Sequence, residues 1–280
     1  MIQQATGLDS TALEAIADLE RRVAATDNGR LKLEWGSLRN RPANEVRDLL
    51  WQEDGQILGF LGIYGSGRKV FELTGMVDPE SRRRGIGGAL FDAALPIISA
   101  RGVERILLVV PRNSEGGREF ARSRDMTYEH SEHALTLQAR PADIAPDPDL
   151  DLRQATTDDI PLLSELFRDG FGDDGFVDPA RLSGDRGRTV MITLAGESVG
   201  TIALSRDGSR GAIYGFVVGS THRGHGVGRR ALRRACNDLF DEGADHVDLE
   251  VEVENDRALG LYTSVGFTLI ATDDYYELVL

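Results

Sequence analysis

The sequence predicts a mixed α and β fold that is built twice in succession. Some short segments alternate apolar and polar residues, as strands do, and others place apolar residues every three or four positions, as helices do. The two halves also repeat each other. DGQILGF at Asp54 matches AGESVGT at Ala195, an offset of 141 residues. Arg82 and Arg223 keep this offset, and Asn113 and Asn255 differ from it by one. A constant register indicates two copies of one structural unit.

The composition is that of a globular protein and limits the partners. The chain has 280 residues, of which 41% are hydrophobic, and a formal charge of −14. Nucleic-acid binding depends on Lys and Arg, so the acidic balance argues against it. The N-terminus has no basic and apolar leader, no segment has the roughly 20 apolar residues of a membrane span, and Cys236 has no disulfide partner. We therefore expect a cytoplasmic protein without a membrane partner.

Each half begins with a helix. In the first half Leu13, Ile16, Leu19 and Val23 lie at helical spacing, with Ser10 or Asp9 as the cap. In the second half TTDDIPLLSELF has Thr157 as a possible cap. Its proline, Pro161, falls in the first turn, where the missing N–H costs little.

Paired strands follow in each half, LLWQEDGQILGFLGIY and TVMITLAGESVGTIAL, with turns at Asp-Gly and Ala-Gly. A further strand then ends at Val77 or Val218 and leads through a glycine-rich turn into a helix. Another strand, RILLVV or HVDLEVEV, precedes a second helix and a last strand, YEHSEHALTL or YYELVL. This order predicts a mixed sheet with largely sequential strands.

A linker separates the copies. QARPADIAPDPDLD contains three prolines and four aspartates and has no hydrophobic periodicity. We place the boundary near residues 138 to 150, which gives one domain over 1–138 and another over 150–280.

The glycine-rich turns, SRRRGIGG and THRGHGVG, predict an anion site. A strand that enters a helix through Gly-x-Gly presents backbone N–H groups at the positive helix end, and the missing Cβ lets an anion come close. A simple tight turn explains either segment alone equally well. A Rossmann turn belongs near the start of its domain, and a Walker loop needs Gly-Lys-Ser/Thr, so neither alternative fits.

The second half adds NDRALGLYTSVGF, Asn255 to Phe267. Ala258, Leu261 and Val265 form one helical face, Gly266 can end the helix, and Tyr262 lies one position beyond that face. By itself this is also the pattern of a core helix with a half-buried tyrosine.

Taken together, HRGHGVGRRAL and NDRALGLYTSVGF resemble the acyl-coenzyme A and thiol-side motifs of the GNAT N-acyltransferases. The resemblance covers nearly the whole chain and implies two consecutive GNAT-like α/β units, each a mostly antiparallel central sheet flanked by helices. It implies acetyl-CoA as co-substrate and no metal. The implied coenzyme-binding residues are Val218, Arg223, Gly224, His225, Gly226, Val227, Gly228 and Asn255, with Val77, Arg82, Arg84, Gly85, Ile86 and Gly87 in the first copy.

The same resemblance implies two catalytic residues in the second copy. Tyr262 corresponds to the proton donor of the departing thiolate, and Glu250 in LEVEVEN corresponds to a family base. An amine attacks a carbonyl only when neutral, and a phenol can protonate a leaving thiolate, so these types suit the reaction. Where other members carry a glutamate on the preceding strand, this chain has Ala212. Glu252 and Glu254 are expected to form only a solvated strand face.

The first copy has lost parts of this set. In NSEGGREFARSRDM, we expect Phe120 in place of the tyrosine and Asp125 in place of the final glycine, and Leu108 stands where Glu250 is expected. Glu72 is the acidic residue on its coenzyme strand, either exposed or acting on a substrate. We therefore expect catalysis in the second copy, and coenzyme binding or scaffolding in the first.

The expected reaction is direct acetyl transfer to a primary amine of a small molecule or an exposed N-terminus. The alternatives are a non-catalytic acyl-CoA sensor and the acetylation of a sugar-thiol precursor by a tandem member of the family. His130 and His133 lack a third ligand for zinc, and Cys236 is read as a packing residue. Two fused units already mimic a dimer, so a monomer or weak homodimer is expected.

Overall fold

The computed structural model describes residues 1–65, 69–142, 147–172, 177, 179, 182–184 and 187–280. They divide into two compact units. The first unit contains Met1–Glu132 and Ala271–Leu280, and the second contains His133–Ile270.

The first unit is a sheet with helices packed on it. Its strands follow the order β1-β2-β3-β4-β5-β13, in which only β4 and β5 are parallel to each other. The elements are β1 (Ile2–Ala5), α1 (Ser10–Asp27), α2 (Trp35–Leu38), β2 (Asp48–Glu53), β3 (Gln56–Tyr64), β4 (Val70–Val77), α3 (Ile86–Ser99), β5 (Arg105–Pro111), α4 (Glu115–Ser123), β6 (Thr127–Leu137) and the C-terminal strand β13 (Thr268–Val279). From His133 onward, β6 belongs to the second unit.

The second unit repeats this plan. Its strands follow the order β6-β12-β11-β10-β9-β7, with β8 against β9, and β11 and β12 are parallel. The elements are β7 (Leu150–Gln154), α5 (Ile160–Phe171), β8 (Ser183–Gly184), β9 (Gly187–Leu194), β10 (Glu197–Asp207), β11 (Arg210–Val218), α6 (Val227–Asp241), β12 (His246–Glu252) and α7 (Asp256–Val265). The predicted α/β class with mostly antiparallel sheets is confirmed.

Alternating strand residues supply two apolar clusters to each unit. In β2 of the first unit, Leu49 packs in the cluster with α3, and its neighbour Leu50 packs in the cluster with α1 and α2. In the second unit, Ile192 packs with α6 and its neighbour Met191 packs with α5. Helices on both faces of each sheet therefore bury the strands on two sides.

The helix starts are close to the predicted ones. Of the two candidate caps of α1, Asp9 accepts a hydrogen bond from Ala12 N at 2.8 Å. Before α5 the cap is Thr156 and not Thr157, because Thr156 and Asp159 form a capping box over one short 3₁₀ turn.

In both units the parallel strands pair over only part of their length. Pairing of β4 with β5 covers Val70–Leu73 and Arg105–Leu108, whereas the strands continue to Val77 and Pro111. Pairing of β11 with β12 covers residues 210–212 and 246–248, and these strands also continue. The strand ends leave a gap in which a ligand can lie between them.

The compact units differ from the predicted domains 1–138 and 150–280 in two places. Residues 271–280 belong to the first unit, and residues 133–138 belong to the second. The reason is backbone pairing: β13 pairs antiparallel with β5 from Asp273 opposite Pro111 to Val279 opposite Arg105. Of the predicted linker, residues 143–146 lie outside the described part of the chain.

Candidate active site

The glycine-rich turn of the second unit leaves a helix end open to an anion. Gly224 and Gly226 have φ of +83° and +77°, a backbone region that L side chains rarely adopt. Gly226 is the N-cap of α6 and no side chain caps that helix, so its first N–H groups remain available. Val227 is buried in the core, and only its backbone can contact a ligand there.

The first unit has the same turn with one difference. Gly85, with φ of +81°, is the N-cap of α3, again without a side-chain cap, and Ile86 is buried as Val227 is. At the place of Gly224 stands Arg83, a non-glycine residue with φ of +64°. A Cβ on Gly87 would lie 3.6 Å from Phe120 and Val77, and a Cβ on Gly228 would lie 3.5 Å from Leu261. A Cβ at either glycine would therefore be in ordinary van der Waals contact with these side chains.

The arginines of these turns brace the turn itself. Arg223 Nε donates to Val218 O at 2.7 Å, and its Nη2 donates to Asp169 Oδ2 at 2.7 Å. Arg82 Nε donates to Val77 O at 3.2 Å, and its two terminal nitrogens donate to Asp27 at 2.7 and 2.8 Å. Each arginine thus ties the end of a strand to the end of the first helix of its unit. Direct contact of these arginines with pyrophosphate stays a prediction.

The remaining basic residues of the turns have different settings. Arg84 donates to Glu53 at 2.7 and 3.0 Å, whereas His225 is exposed. Their contact with a coenzyme also stays a prediction.

A cavity of about 690 Å³ lies in the first unit at this turn. The ends of β4 and β5, from Gly75 to Val77 and from Val109 to Pro111, form two of its walls. Arg82, Gly85 and Gly87 of the turn also line it. An unblocked helix start, glycines at the mouth and diverging strands fit a thioester coenzyme with an anionic end and a long arm.

Tyr262 of the second unit is buried on α7. Asn255 caps this helix by accepting from Ala258 N at 3.0 Å, and Gly266 ends it with φ of +112°. The ring of Tyr262 packs between Phe216 and Phe267, with ring centres 6.4 and 6.1 Å apart. Burial raises the pKa of the Tyr262 phenol to about 12, so the hydroxyl keeps its proton at neutral pH.

Glu250 lies on the polar face of β12, as the alternation predicts. Leu249 and Val251 on either side of it are buried in the core, whereas Glu250 is half-buried. On the same face, Asp248 accepts from Arg210 Nε at 2.7 Å. Glu252 and Glu254 are exposed, in agreement with the solvated face expected for them.

The neighbouring strand β11 carries a bulge at this level. Thr201 of β10 opposes Val217, but Ala203 opposes Tyr214, so one extra residue stands in β11. Gly215 occupies this irregularity with φ of +53°. The corresponding pairing of β3 with β4 in the first unit is regular. Bulges re-aim backbone groups next to active sites, and here the second unit alone has one at the gap.

The structure corrects the alignment of the two copies by one residue. Ser114 caps α4 as Asn255 caps α7, so Asn113 is not the partner of Asn255. The same offset places Ala121, not Phe120, at the position of Tyr262. Phe120 instead corresponds to Leu261, because both would contact a Cβ at the matching turn glycine.

A second correction concerns Leu108. Its side chain lies in the core with Ile106 and Val110, in the way that Leu249 does in the second unit. The counterpart of Glu250 is therefore Val109, which lines the cavity. The first copy therefore lacks both side chains: Ala121 occupies the position of Tyr262, and Val109 occupies the position of Glu250.

Sequence reasoning missed a polar cluster in the first unit. Lys32, buried before α2, donates to Tyr275 Oη at 2.5 Å and lies 3.8 Å from Glu72 Oε2 and 3.4 Å from Glu132 Oε2. His130, weighed as a zinc ligand, instead stacks on the Tyr275 ring at 4.2 Å. The available signal was the rarity of lysine, since the chain contains only Lys32 and Lys69.

Other chemistry finds little support in the described residues. Among them no three His, Cys, Asp or Glu side chains are grouped as a metal site would require. Burial raises the pKa of the Cys236 thiol to about 12, which fits a packing role and leaves no reactive thiolate. None of the helices within the described ranges is long and apolar enough to cross a bilayer.

Two relatives of this chain are named as acetyltransferases. N-alpha-acetyltransferase 30 of Saccharomyces cerevisiae is 43% identical over 58 residues, which are 21% of this chain and 33% of that protein. The mycothiol acetyltransferase of Kytococcus sedentarius is 27% identical over 299 aligned positions, which cover 94% of this chain and 93% of the relative.

Solved structures share the fold at low identity. A GCN5-related N-acetyltransferase from Sphaerobacter thermophilus superposes with a TM-score of 0.77 at 16% identity, over 99% of this chain and 95% of that one. A tandem GNAT protein from the clavulanic acid biosynthesis pathway reaches 0.72 at 18% identity, over 100% and 98%.

The family model described as acetyltransferase (GNAT) matches residues 13–125 and again 153–267. The first match begins inside α1, includes the glycine-rich turn, α3 and α4, and ends just before β6. The second includes α5, the glycine-rich turn, α6 and α7, and ends just before β13. The chain therefore belongs to the GNAT acetyltransferase family and carries its fold twice, in tandem.

Proposed function

We propose that the chain transfers an acetyl group from acetyl-CoA to a primary amine, and that the second unit performs the reaction. The observations that support this proposal are the buried phenol Tyr262 on α7, the half-buried carboxylate Glu250 on β12, and the bulge at Gly215 in β11, the strand that pairs with β12. The first unit has Ala121, Val109 and a regular strand at the corresponding places.

Each group has one task in the proposed reaction. Acetyl-CoA supplies the thioester whose acetyl group is transferred. Glu250 takes a proton from the incoming ammonium so that the amine can attack, and Tyr262 protonates the departing sulfur. A backbone N–H of β11 near Val218 polarises the carbonyl. Because burial raises the pKa of the Tyr262 phenol to about 12, the hydroxyl carries the proton that this step needs at neutral pH.

The acceptor is proposed by chemical class. One relative is named N-alpha-acetyltransferase 30 and the other mycothiol acetyltransferase, and the proposal takes a primary amine as the acceptor class. Within that class, a sugar-thiol amine is the runner-up acceptor. The acidic sequence of residues 169–188, DGFGDDGFVDPARLSGDRGR, would suit a cationic acceptor, and this segment lies partly outside the described residues.

Turnover tests this proposal. Purified protein, acetyl-CoA and a panel of amines should release free coenzyme A thiol, and Tyr262→Phe and Glu250→Gln should each lower kcat by about 10² to 10⁴. As a matched control, Glu252→Gln changes an exposed glutamate on the same strand and should keep the wild-type rate. Equal rates in all three variants would contradict the catalytic roles proposed for Tyr262 and Glu250.

The cavity of the first unit favours a second candidate function, a coenzyme sensor. The cavity at the glycine-rich turn is open, although the first unit has no tyrosine and no glutamate at the positions of Tyr262 and Glu250. Calorimetry with acetyl-CoA distinguishes the roles. Two acetyl-CoA molecules bound per chain, together with turnover, support a catalytic second unit and a coenzyme-binding first unit. Two bound molecules without turnover support the sensor. If no acetyl-CoA binds, both functions are excluded.

A further inference from the structure

The chain places a lysine where it otherwise uses arginine. Only two of its 32 Lys and Arg residues are lysines. Lys69 is 74% exposed and pairs with Glu104, whereas Lys32 is 8% exposed. Among the described residues of the first unit, Arg41 is the other buried cation. It holds Asp48 through a bidentate pair, and arginine is the usual choice for a buried ion pair. The buried site at position 32 therefore presents a primary amine in a chain nearly without primary amines.

The surroundings of Lys32 offer a route for its proton. Its Nζ lies 3.4 Å from Glu132 Oε2, 3.8 Å from Glu72 Oε2 and 2.5 Å from Tyr275 Oη. Tyr275 also donates to Glu132. The Glu72 side chain is 41% exposed and that of Lys32 is 9% exposed. A proton that passes from Lys32 to Glu72 therefore reaches water.

Lys32 is connected to the cavity along the chain and through Tyr275. Arg30 and Leu31, the two residues before Lys32, line the cavity. Val109, which also lines the cavity, is the backbone partner of Tyr275, whose hydroxyl accepts from the Lys32 ammonium. Lys32 is thus linked to the cavity lining both through the residues before it and through β5.

We propose that Lys32 is a self-acetylation site, modified by acetyl-CoA held in the cavity of the first unit. This inference rests on the proposed use of acetyl-CoA, but not on the chemistry of the second unit. Lys32 gives one proton to Glu72, and its Nζ attacks the thioester carbonyl carbon. The N–C bond forms as the C–S bond breaks, and the second nitrogen proton passes to the sulfur, so that an amide and free coenzyme A thiol result.

Acetylation changes the first unit as well as marking it. The amide carries no charge, so Glu72 and Glu132 lose the ammonium that lies between them. Tyr275 loses a charged donor, and β13 loses a contact that ties it to residue 32. We expect the acetylated unit to unfold at lower urea concentration than the unmodified one.

Peptide mass spectrometry tests the proposal with an internal control. The Tyr262→Phe variant is incubated with acetyl-CoA, and the acetylated fractions of Lys32 and Lys69 are followed in time. Uncatalysed acetylation favours the exposed Lys69, whereas self-acetylation should modify Lys32 at least about tenfold faster. Glu72→Gln should slow Lys32 by about 10²-fold, as expected on losing the proton acceptor, and leave Lys69 unchanged.

Matched glycine variants connect the reaction to the cavity. Gly87→Trp fills the mouth of the first cavity and should abolish Lys32 acetylation, whereas Gly228→Trp blocks the second unit and should not. A second measurement does not depend on acetyl transfer. Bound coenzyme A should slow the labelling of Lys32 by an amine-reactive succinimidyl ester, but not the labelling of Lys69.

The proposal is overturned if Lys69 reacts as fast as Lys32, if Gly87→Trp leaves Lys32 acetylation intact, or if coenzyme A gives no protection. If Lys32 is acetylated but no added amine is, only the function proposed for the second unit is contradicted. Amine turnover with Lys32 unmodified contradicts only the self-acetylation.

Discussion

At the scale of single residues, burial decides what Tyr262 can do. The ring packs against Phe216 and Phe267, and the loss of water around the hydroxyl raises its pKa to about 12. A raised phenol pKa means that the proton stays on at every pH below that value. In the proposed function, Tyr262 therefore donates a proton, and the half-buried Glu250 removes one.

Tyr262→Phe separates this chemical role from packing. The substitution keeps the ring contacts, so the free energy of unfolding should change by less than about 1 kcal/mol, while kcat falls by about 10² to 10⁴. Unfolding in urea and thiol release measure the two quantities. Tyr276→Phe, at another buried tyrosine, is the control and should leave kcat unchanged. Loss of stability without loss of kcat would make Tyr262 a packing residue.

The sequence predicted the types and neighbourhood of these residues but not their register between the copies. Asn113 and Phe120 looked like the partners of Asn255 and Tyr262, yet the helix caps align Ser114 with Asn255 and so Ala121 with Tyr262. Aromatic likeness misled because it ignored which face of α4 each residue occupies: Phe120 faces Gly87, and Ala121 is buried in the core. A one-residue shift on a helix or strand turns a side chain to another side.

At the scale of elements, the start of the second unit's first helix depends on one carboxylate. Asp159 accepts from Arg153 at 2.6 and 2.8 Å and from Thr156 N at 2.8 Å. Arg153 is the main cause that lowers the pKa of Asp159 to about 2. A carboxylate with a lowered pKa stabilises the fold above its unfolded pKa, here 3.8, and this contribution is lost as the pH falls towards 2.

Asp159→Asn should lower the free energy of unfolding by about 0.5–2 kcal/mol at pH 7, because the capping box and the ion pair are lost together. The difference between variant and wild type should shrink as the pH falls from 4 to 2. Urea unfolding at a series of pH values measures it. Asp158→Asn, an exposed neighbour in the same turn, is the control, and an equal loss in both variants would contradict a specific cap.

The bulge of β11 is the element that the sequence left unseen. The strand residues GAIYGFVV read as an ordinary buried strand, and the glycine that absorbs the extra residue, Gly215, looks the same as any strand glycine. Pairing with β10 reveals it, because Thr201 and Ala203 are separated by two positions whereas their partners Val217 and Tyr214 are separated by three. Bulges depend on the neighbouring strand, so they follow from the sheet and not from the strand's own sequence.

At the scale of the whole molecule, the last strand of the chain completes the first unit. The repeat pattern correctly predicted two copies, but the predicted domains 1–138 and 150–280 left the last strand of the chain with the second copy. Instead β13 pairs with β5 over seven residues, Asp273 to Val279, and its Tyr275 and Tyr276 are buried in the first unit. A strand that alternates apolar and polar residues can pair with the edge of either unit's sheet, and its own sequence does not determine which edge it joins.

Removal of residues 271–280 should therefore weaken the first unit although the cut lies at the end of the second copy. The unpaired edge of β5 and the lost burial of two tyrosines should speed hydrogen exchange of β4 and β5 by at least about tenfold, while β10 and β11 keep their protection. Exchange measured by mass spectrometry resolves these strands. Leu269→Ser alters an exposed residue earlier in the same strand and is the control, which should exchange as the wild type does. If the truncation instead exposes β10 and β11 and spares β4 and β5, the C-terminal strand belongs to the second unit in solution, and the first unit must close its sheet without it.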